Sequence, residues 1–325
     1  MTSGVAFYCM SSDLYFPGAV ALVNSLRLHG HDEPIYLLDC GLSEAHAELL
    51  ANEVELVTAP AGVPPYLLKT VAPRSHPAEV MVLIDVDMVA TRPLGSLIEL
   101  ADGGRVVAFK DNIDRFVEDW ANVLDLAAVT PRPYVSSGLV VLGGDRGAEV
   151  LAMWDERQDR GDYALSWFER RVEDYPLLFL DQDVLNAVLS SPAVSEEELV
   201  VVDKRLAPHQ PYQGLELVDA KRLRCAYRDG SAPYVLHQYL DKPWLRPMYH
   251  GIYSQLLSRL WLADDVAIRL CEAEVPLRMR PGLRAWAWRK CVDLQDLIRW
   301  YARDVIPERV ARRRGSPRRV AGARQ

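Results

Sequence analysis

The run Val80-Met-Val-Leu-Ile-Asp85-Val-Asp87 constrains this chain more than any other stretch. Five consecutive apolar residues suit a strand buried on both faces, and such strands belong to parallel sheets covered by helices. The segments before it alternate in the same sense. Val5–Met10 is a short apolar run. Pro17 sits where a helix start tolerates proline, and Ala19–Leu28 has helical spacing that stops at Gly30. Pro34–Asp39 and Val54–Val57 read as strands. Between them Ser43 can cap a helix over Ala45–Glu53, with Glu44 in its first turn. This β-α-β-α-β order predicts an α/β fold: a mostly parallel twisted sheet with helices on both faces. Sites in such sheets lie at the carboxyl ends of strands, where Asp85 and Asp87 fall.

Further along, Arg105–Phe109, Val135–Leu142, Glu198–Val202 and Tyr234–His237 read as strands. Glu149–Arg160, Tyr163–Val172 and Leu180–Leu189 read as helices. From Pro247 the pattern turns helical, over Ile252–Leu262, Asp264–Cys271 and Leu283–Arg303. The expected division is a catalytic-type domain over residues 1–246, a helical extension over 247–311 and a basic tail over 312–325. The tail holds six arginines and no acid, and its Arg-Gly-Pro-Ala composition is that of a disordered segment. Removing those six charges from the net −8 leaves −14 on the rest, which argues against general nucleic-acid binding. No apolar stretch is long enough to span a membrane, and the start lacks the basic n-region of a secretory signal. The five cysteines are scattered and never in a CxxC pair. They suit reduced thiols of a cytoplasmic protein rather than a disulfide frame or a zinc site.

Three features carry chemistry. At an extended strand end, residues i and i+2 share a side, so Asp85 and Asp87 project together as a hard-oxygen site for Mn²⁺ or Mg²⁺. Of seven histidines, His237 alone follows a strand-like run and precedes a lysine fixed by Pro-Trp, in His237-Gln-Tyr-Leu-Asp-Lys242-Pro-Trp244. A neutral imidazole can complete a shell begun by two carboxylates, and a lysine suits phosphate. Asp181-Gln182-Asp183-Val-Leu-Asn186 is either a polar helix N-terminus or part of the same site.

Together these segments resemble glycosyltransferase family 8, the retaining nucleotide-sugar transferases of GT-A fold. Tyr8-Cys-Met-Ser-Ser-Asp13-Leu-Tyr15-Phe-Pro-Gly18 resembles the family's first strand and nucleotide loop. Val82–Val89 resembles its metal-binding strand, and Tyr134-Val-Ser136-Ser-Gly138 its Asn-Ser/Ala-Gly strand. Asp181–Asn186 is nearly the family's own phrase, and His237…Lys242-Pro-Trp244 resembles its closing motif. The matches span residues 5–245. Two departures stand out. Leu240 occupies the place of a usual glycine, and Ser136 that of a common asparagine.

The resemblance implies a transfer of hexose from a nucleotide sugar, with uridine diphosphate as the nucleotide, to a saccharide, lipid-linked or protein acceptor. It implies Asp85, Asp87 and His237 as metal ligands, with Asp85 also contacting ribose, and Lys242 at the diphosphate. Lys69 would reach the donor, although a solvated surface lysine fits the sequence equally. Asp111, Ser136, Gly138, Asp181 and Gln182 would surround the donor sugar, Gln182 as stabiliser of an oxocarbenium ion. Asp13 and Tyr15 would recognise the base, Tyr15 being as consistent with a core tyrosine.

Towards the carboxyl end, Leu283, Ala287, Cys291, Leu294, Ile298 and Tyr301 form one apolar helical stripe. The stripe suits a helix packed on the main domain. Its flanking Trp286, Trp288 and Trp300, with Arg284, Arg289, Lys290 and Arg299, suit a peripheral contact with the inner face of a membrane, strengthened by the basic tail. Two other functions fit parts of the sequence. One is a haloacid-dehalogenase-like phosphatase using Asp85 and Asp87. The other is a nucleotide-sugar binding protein without turnover.

Overall fold

Seven strands form the central sheet of this computed structural model, which describes residues 2–245, 251–280, Gly282, Leu283, Trp286, Ala287, Lys290, Cys291 and Leu294. The elements run β1 (Thr2–Ser11), α1 (Phe16–Leu28), β2 (Ile35–Asp39), α2 (Glu44–Leu50), β3 (Glu55–Thr58), α3 (Val71–Ser75), β4 (Ala78–Ile84) and β5 (Met88–Ala90). They continue through α4 (Gly95–Ile98), β6 (Val106–Lys110), α5 (Trp120–Val123), β7 (Val135–Gly143), α6 (Gly144–Gln158) and α7 (Asp181–Leu189). Last come β8 (Leu199–Val202), β9 (Leu215–Asp219), β10 (Arg224–Tyr227), β11 (Val235–His237) and α8 (Ile252–Leu262).

The sheet order is β3-β2-β1-β4-β7-β6-β8. All neighbours are parallel except β7, which runs antiparallel to both β4 and β6. Each face carries its own apolar core. One gathers α1 and α8 around Leu22, Val23, Leu257 and Trp261, and the other gathers α3, α6 and α7 around Val150, Trp154, Val184 and Val188. The mostly parallel sheet covered on both faces is therefore as the apolar runs predict. β7 has every residue buried, because helices cover both of its faces.

Helix α1 is the axle of the first face. Its end is a Schellman closure: Gly30 takes φ +79°, and the His31 and Gly30 N–H groups return to Leu26 and Arg27 carbonyls. Midway, the fully buried Asn24 donates to the Leu260 and Ile268 carbonyls at 2.7 Å each and accepts the Ile268 N–H at 2.8 Å. Trp261 Nε1 donates to Pro17 O at 2.8 Å. Residues 252–270 are thus fastened to the same core as α1 by groups that satisfy each other's buried polar atoms.

Several local expectations are corrected. Ser43 occupies the N-cap of α2 but makes no side-chain cap bond, and the helix stops at Leu50 rather than Glu53. Tyr163–Val172 is not a helix beyond a 3₁₀ turn at Tyr163–Leu165. Its backbone donors go elsewhere: Trp167 N–H bonds Leu178 O, Val172 N–H bonds Leu165 O, and Arg171 takes φ +49°. Asp264–Cys271 is likewise no helix, because Ile268 N–H is taken by Asn24 and Leu270 N–H by Trp261 O. In the first segment partners five to eleven residues away, and in the second Asn24 of α1 and Trp261 O, win over the i−4 carbonyls that local periodicity favours. Of the Leu283–Arg303 helix, only Leu283, Trp286, Ala287, Lys290, Cys291 and Leu294 are described. They are helical and solvent-exposed, Leu283 at 78% and Leu294 at 57%, while Trp286 and Lys290 border a cavity shared with Gln255 of α8 and Arg278. Ile298, Tyr301 and the tail from residue 312 lie outside the described residues.

Candidate active site

The carboxyl end of β4 does not continue as a strand to Asp87. Asp85 N–H still bonds Gly138 O of β7, but Met88 N–H returns to Asp85 O at 3.0 Å and closes a turn over 85–88. The two carboxylates therefore meet through a turn rather than through the pleat. β5 leaves that turn and pairs antiparallel with β11, setting His237 opposite Met88. That register brings imidazole to carboxylates from 150 residues away. Ligand atoms of Asp85, Asp87 and His237 all lie within 4.8 Å of one another, with His237 Nε2 at 3.3 Å from Asp87 Oδ1.

Close approach here depends on glycine. A Cβ at Gly138 would meet Met88 Cε at 2.6 Å, His237 Cε1 at 2.9 Å and Asp85 Oδ2 at 3.2 Å. A Cβ at Gly18 would meet the Val86 carbonyl at 2.6 Å and the Trp244 ring at 2.9 Å. Trp244 in turn donates to Leu14 O at 2.9 Å and ties the closing motif to the β1–α1 loop. Within that motif Gln238 accepts from Tyr212 Oη at 2.9 Å and donates to Asp241 O at 2.8 Å. The loop so folded delivers Lys242 Nζ to Asp87 Oδ2 and to Gln238 O. Leu240 is exposed, and Ser136 Oγ accepts the Gly138 N–H at 3.2 Å.

A second cation faces the first carboxylate. Lys69 Nζ is 2.8 Å from Asp85 Oδ1, 3.3 Å from Asp181 Oδ2 and 3.1 Å from Ser137 O. It is a half-enclosed bridge between β4 and α7, not a solvated surface lysine. Burial alone would lower its pKa, but Asp181 and Asp85 raise it above the ordinary lysine value. Asp87 shows the complementary balance. Burial would raise its pKa, and His237 and Lys242 override that and hold it well below the carboxylate range. Asp85 moves up, chiefly through burial, with Lys69 opposing. His209, stacked edge-on against His237 at 4.9 Å, is pushed down to about 4 by burial and by His237.

Helix α7 divides its motif by face. Gln182 Oε1 accepts Ser137 N–H at 3.2 Å, while its Nε2 donates to Asp111 Oδ2 at 3.3 Å. A backbone donor on one side and a carboxylate on the other leave only one orientation of the amide satisfied. Asp111 also accepts Ile113 N–H through Oδ1 at 3.0 Å. Asp183 and Asn186 turn away from the site. Asp183 is wholly buried against Arg115 (2.9 Å), Tyr134 Oη (2.8 Å) and Phe179 N–H (2.8 Å). Asn186 forms a two-bond pair with the backbone of Val135, 2.8 Å each way. Leu180, just before Asp181, takes φ +55°, a conformation costing roughly 1–3 kcal/mol that concentrates at functional sites.

These groups border a cleft of 390 Å³ lined by Tyr15, Tyr66, Lys69, Asp85, Asp87 and Asp181 among others. Tyr15 is half-buried at its wall, 5.8 Å from Lys242 Nζ. Asp13 does not line it; its Oδ1 is occupied by Ser43 N–H and by His46 Nδ1 at 2.8 Å. Tyr66, Phe168 and Leu180 also line the cleft and were not legible as site residues. The only sequence signal at Phe168 is an aromatic in a segment without a helical cap; Leu180 carries none, since its strained φ is set by tertiary contacts.

The donor set fits a hard divalent cation. Two carboxylates and an imidazole offer oxygen and nitrogen without sulfur. Asp87 Oδ1 is buried with no well-formed hydrogen bond among the described residues, and its polar neighbour at 3.3 Å is His237 Nε2, the imidazole that would share a cation with it. Among the described residues this is the one cluster of at least three such ligands.

No family model matches the chain, and no curated protein matches it in sequence. Solved structures do match in shape. An active-site mutant of LgtC superposes with a TM-score of 0.52 at 17% identity, over 82% of this chain and 98% of that one. The fold is that of the GT-A glycosyltransferases. The galactosyltransferase LgtC in complex with donor and acceptor sugar analogues gives 0.50 at 18% identity, over 80% and 98%. The bifunctional glycosyltransferase WbbM gives 0.53 at 17% identity, over 82% of this chain and 50% of that one, so the chain spans half of WbbM's length. The GT-A frame accounts for the placement of the site at the ends of β1 and β4, where the order of strands turns.

Proposed function

We propose that the chain is a retaining hexosyltransferase that moves a hexose from a uridine-diphosphate sugar to an acceptor hydroxyl, served by Mn²⁺ or Mg²⁺ held by Asp85, Asp87 and His237. The convergence of those three side chains, from β4 and β11, carries the reading. The cation supplies positive charge to the two phosphates as negative charge grows on the leaving group.

The chain's own residues do the rest. Lys242 adds a second positive charge at the phosphates, and its contact with Asp87 fixes where that charge sits. Lys69 bridges Asp85 and Asp181 and places positive charge between them. Asp111 and Asp181 accept from sugar hydroxyls. Gln182 is a poor nucleophile, but its carbonyl oxygen, oriented by Ser137 N–H, presents a dipole that stabilises positive charge at the anomeric carbon. Attack then comes from the face the leaving phosphate vacates, and that phosphate takes the acceptor's proton. Tyr15 provides a flat surface for the base, with Asp13 beside it. Ser136 and Gly138 shape the floor under the sugar.

The acceptor is a saccharide, free or lipid-linked, or a protein side chain. The reading places the protein on the cytoplasmic side, with the exposed Leu283, Trp286 and Leu294 and the basic tail against the inner membrane face. Among the described residues no helix is long and apolar enough to cross a membrane. Truncation after residue 311 is expected to weaken vesicle binding at low salt.

The test is a panel of nucleotide sugars with Mn²⁺, with and without chelator, read by melting temperature and by donor hydrolysis. One uridine-diphosphate sugar should stabilise the protein and be hydrolysed only with metal. Stabilisation without turnover would leave a binding protein, and a trapped phospho-aspartate would show a phosphatase.

A further inference from the structure

A second cavity, of 630 Å³, opens at the opposite end of α1 from the cleft just described. Tyr15 precedes the first residue of α1 and His29 follows the last, so the two cavities are separated by the length of a 13-residue helix, about 20 Å. The walls carry five strong cations: Arg92 after β5, Lys221, Arg222 and Arg224 from the β9–β10 hairpin, and Arg259 of α8. The one carboxylate in the lining is Asp265, and it is already engaged with Arg259 at 2.8 Å. No ion pair reaches Arg92, Lys221, Arg222 or Arg224 among the described residues. On a chain whose net charge is −8, this is a concentration of unneutralised positive charge that folding itself disfavours.

Three polar atoms in the same lining are also left over. His29 Nε2, Arg92 Nε and Arg259 Nη1 are buried without a hydrogen-bond partner among the described residues. A buried guanidinium donor without an acceptor carries a desolvation cost that calls for a partner. The rest of Arg92 is fixed: its guanidinium lies 3.4 Å from the centroid of the Tyr234 ring. Arg259 is fixed by Lys221 O and Asp265. The hairpin that presents Lys221 and Arg222 is held by Asp219, whose Oδ1 accepts the Arg222 N–H at 3.1 Å. The cations are therefore presented by constrained backbone around a concavity.

We propose that this cavity binds a multiply charged phosphate group, of the pyrophosphate or phosphomonoester class. Planar guanidinium forks match phosphate oxygens two at a time, and a single carboxylate would leave most of the charge unmatched. The same chemistry is offered by a soluble phosphate compound or by an anionic lipid headgroup. The site goes beyond the proposed transferase reaction and uses none of its residues.

The experiment titrates the full chain with inorganic pyrophosphate in chelator, by calorimetry, and in parallel measures sedimentation with vesicles of phosphatidylglycerol. The variants are Lys221→Glu with Arg222→Glu, and Lys242→Ala in the other cleft. Pyrophosphate binding that falls at least tenfold in the double variant and persists in Lys242→Ala supports the site with a soluble ligand. Binding confined to vesicles, and lost in the double variant, supports it with a lipid headgroup. Binding of both probes unchanged by Lys221→Glu/Arg222→Glu, or no binding of either, overturns it. Melting temperature within about 2 °C of the parent shows that the double variant folds, and unchanged donor hydrolysis shows that the first cleft is intact.

Discussion

Lys69 and Asp85 form an ion pair at 2.8 Å across the floor of the cleft, one from the loop before α3 and one from the end of β4. The lysine reaches Asp181 as well, so a single ammonium faces two enclosed carboxylates. Removing it leaves them uncompensated. Breaking a buried pair costs about 3–5 kcal/mol, but Asp85 keeps 30% of its side chain accessible, which places the loss nearer ~2 kcal/mol. Lys69→Met should therefore lower the melting temperature in chelator, and Mn²⁺ should restore more stability to this variant than to the parent. Equal Mn²⁺ effects on both proteins would argue against the shared site.

Gly138 should be intolerant of even one methyl group. In Gly138→Ala the new Cβ would displace Met88 Cε, a flexible chain end, and His237 Cε1, which is not free to move. Overpacking of this kind costs about 1–3 kcal/mol. The expected result is a folded protein whose Mn²⁺ affinity falls at least tenfold, measured by metal titration. Unchanged affinity would show that His237 is not held where the site needs it.

The two halves of Asp181-Gln182-Asp183 should separate experimentally. Asp183→Ala leaves Arg115 and the Tyr134 hydroxyl without their buried acceptor, and should cost about 3–5 kcal/mol in urea unfolding. Gln182→Ala should leave unfolding nearly unchanged and lower kcat by about 10²–10³, the usual scale for losing one stabilising dipole. The reverse pattern would reassign both residues.

Acid should weaken the fold at Glu198. Hydrogen bonds from Arg146 and from Ser195 N–H bring its carboxyl down to about 2. A depressed folded-state pKa gives stability that is complete above the unfolded value near 4.5 and disappears as pH falls through about 2. Because the pair is largely open to solvent, its share is below about 1 kcal/mol. Glu198→Gln should lower urea stability by that small amount at pH 7 and flatten the profile between pH 4.5 and 2, the two proteins converging as pH falls through about 2.

Much of this site could be read in the chain because its parts sit at strand ends. β4 announces itself by five apolar residues, and Asp85 and Asp87 follow at the sheet edge. His237 is legible for the same reason at β11. What was not legible depends on long-range partners. Lys69 follows a 3₁₀ turn at Pro65–Leu67 and has no periodicity to mark it, so only the folded chain separates it from a surface lysine. Asp181 and Asp183 are indistinguishable as letters, yet the turn of α7 sends one into the cleft and the other into the core. The non-helical course of Asp264–Cys271 is dictated by Asn24, far along the sequence, and that of Tyr163–Val172 by carbonyls five to eleven residues away rather than four. The partners of Asp13, Ser43 N–H and His46 Nδ1 on one of its oxygens, are likewise set by the fold and carried by no local pattern.

The most direct test of the metal assignment is a calorimetric titration of Mn²⁺, followed by uridine diphosphate, into the parent chain and Asp87→Asn. The account predicts one Mn²⁺ per chain, nucleotide binding that depends on it, and loss of both by at least tenfold in the variant. Asp87→Asn binding metal and nucleotide as the parent does would contradict it.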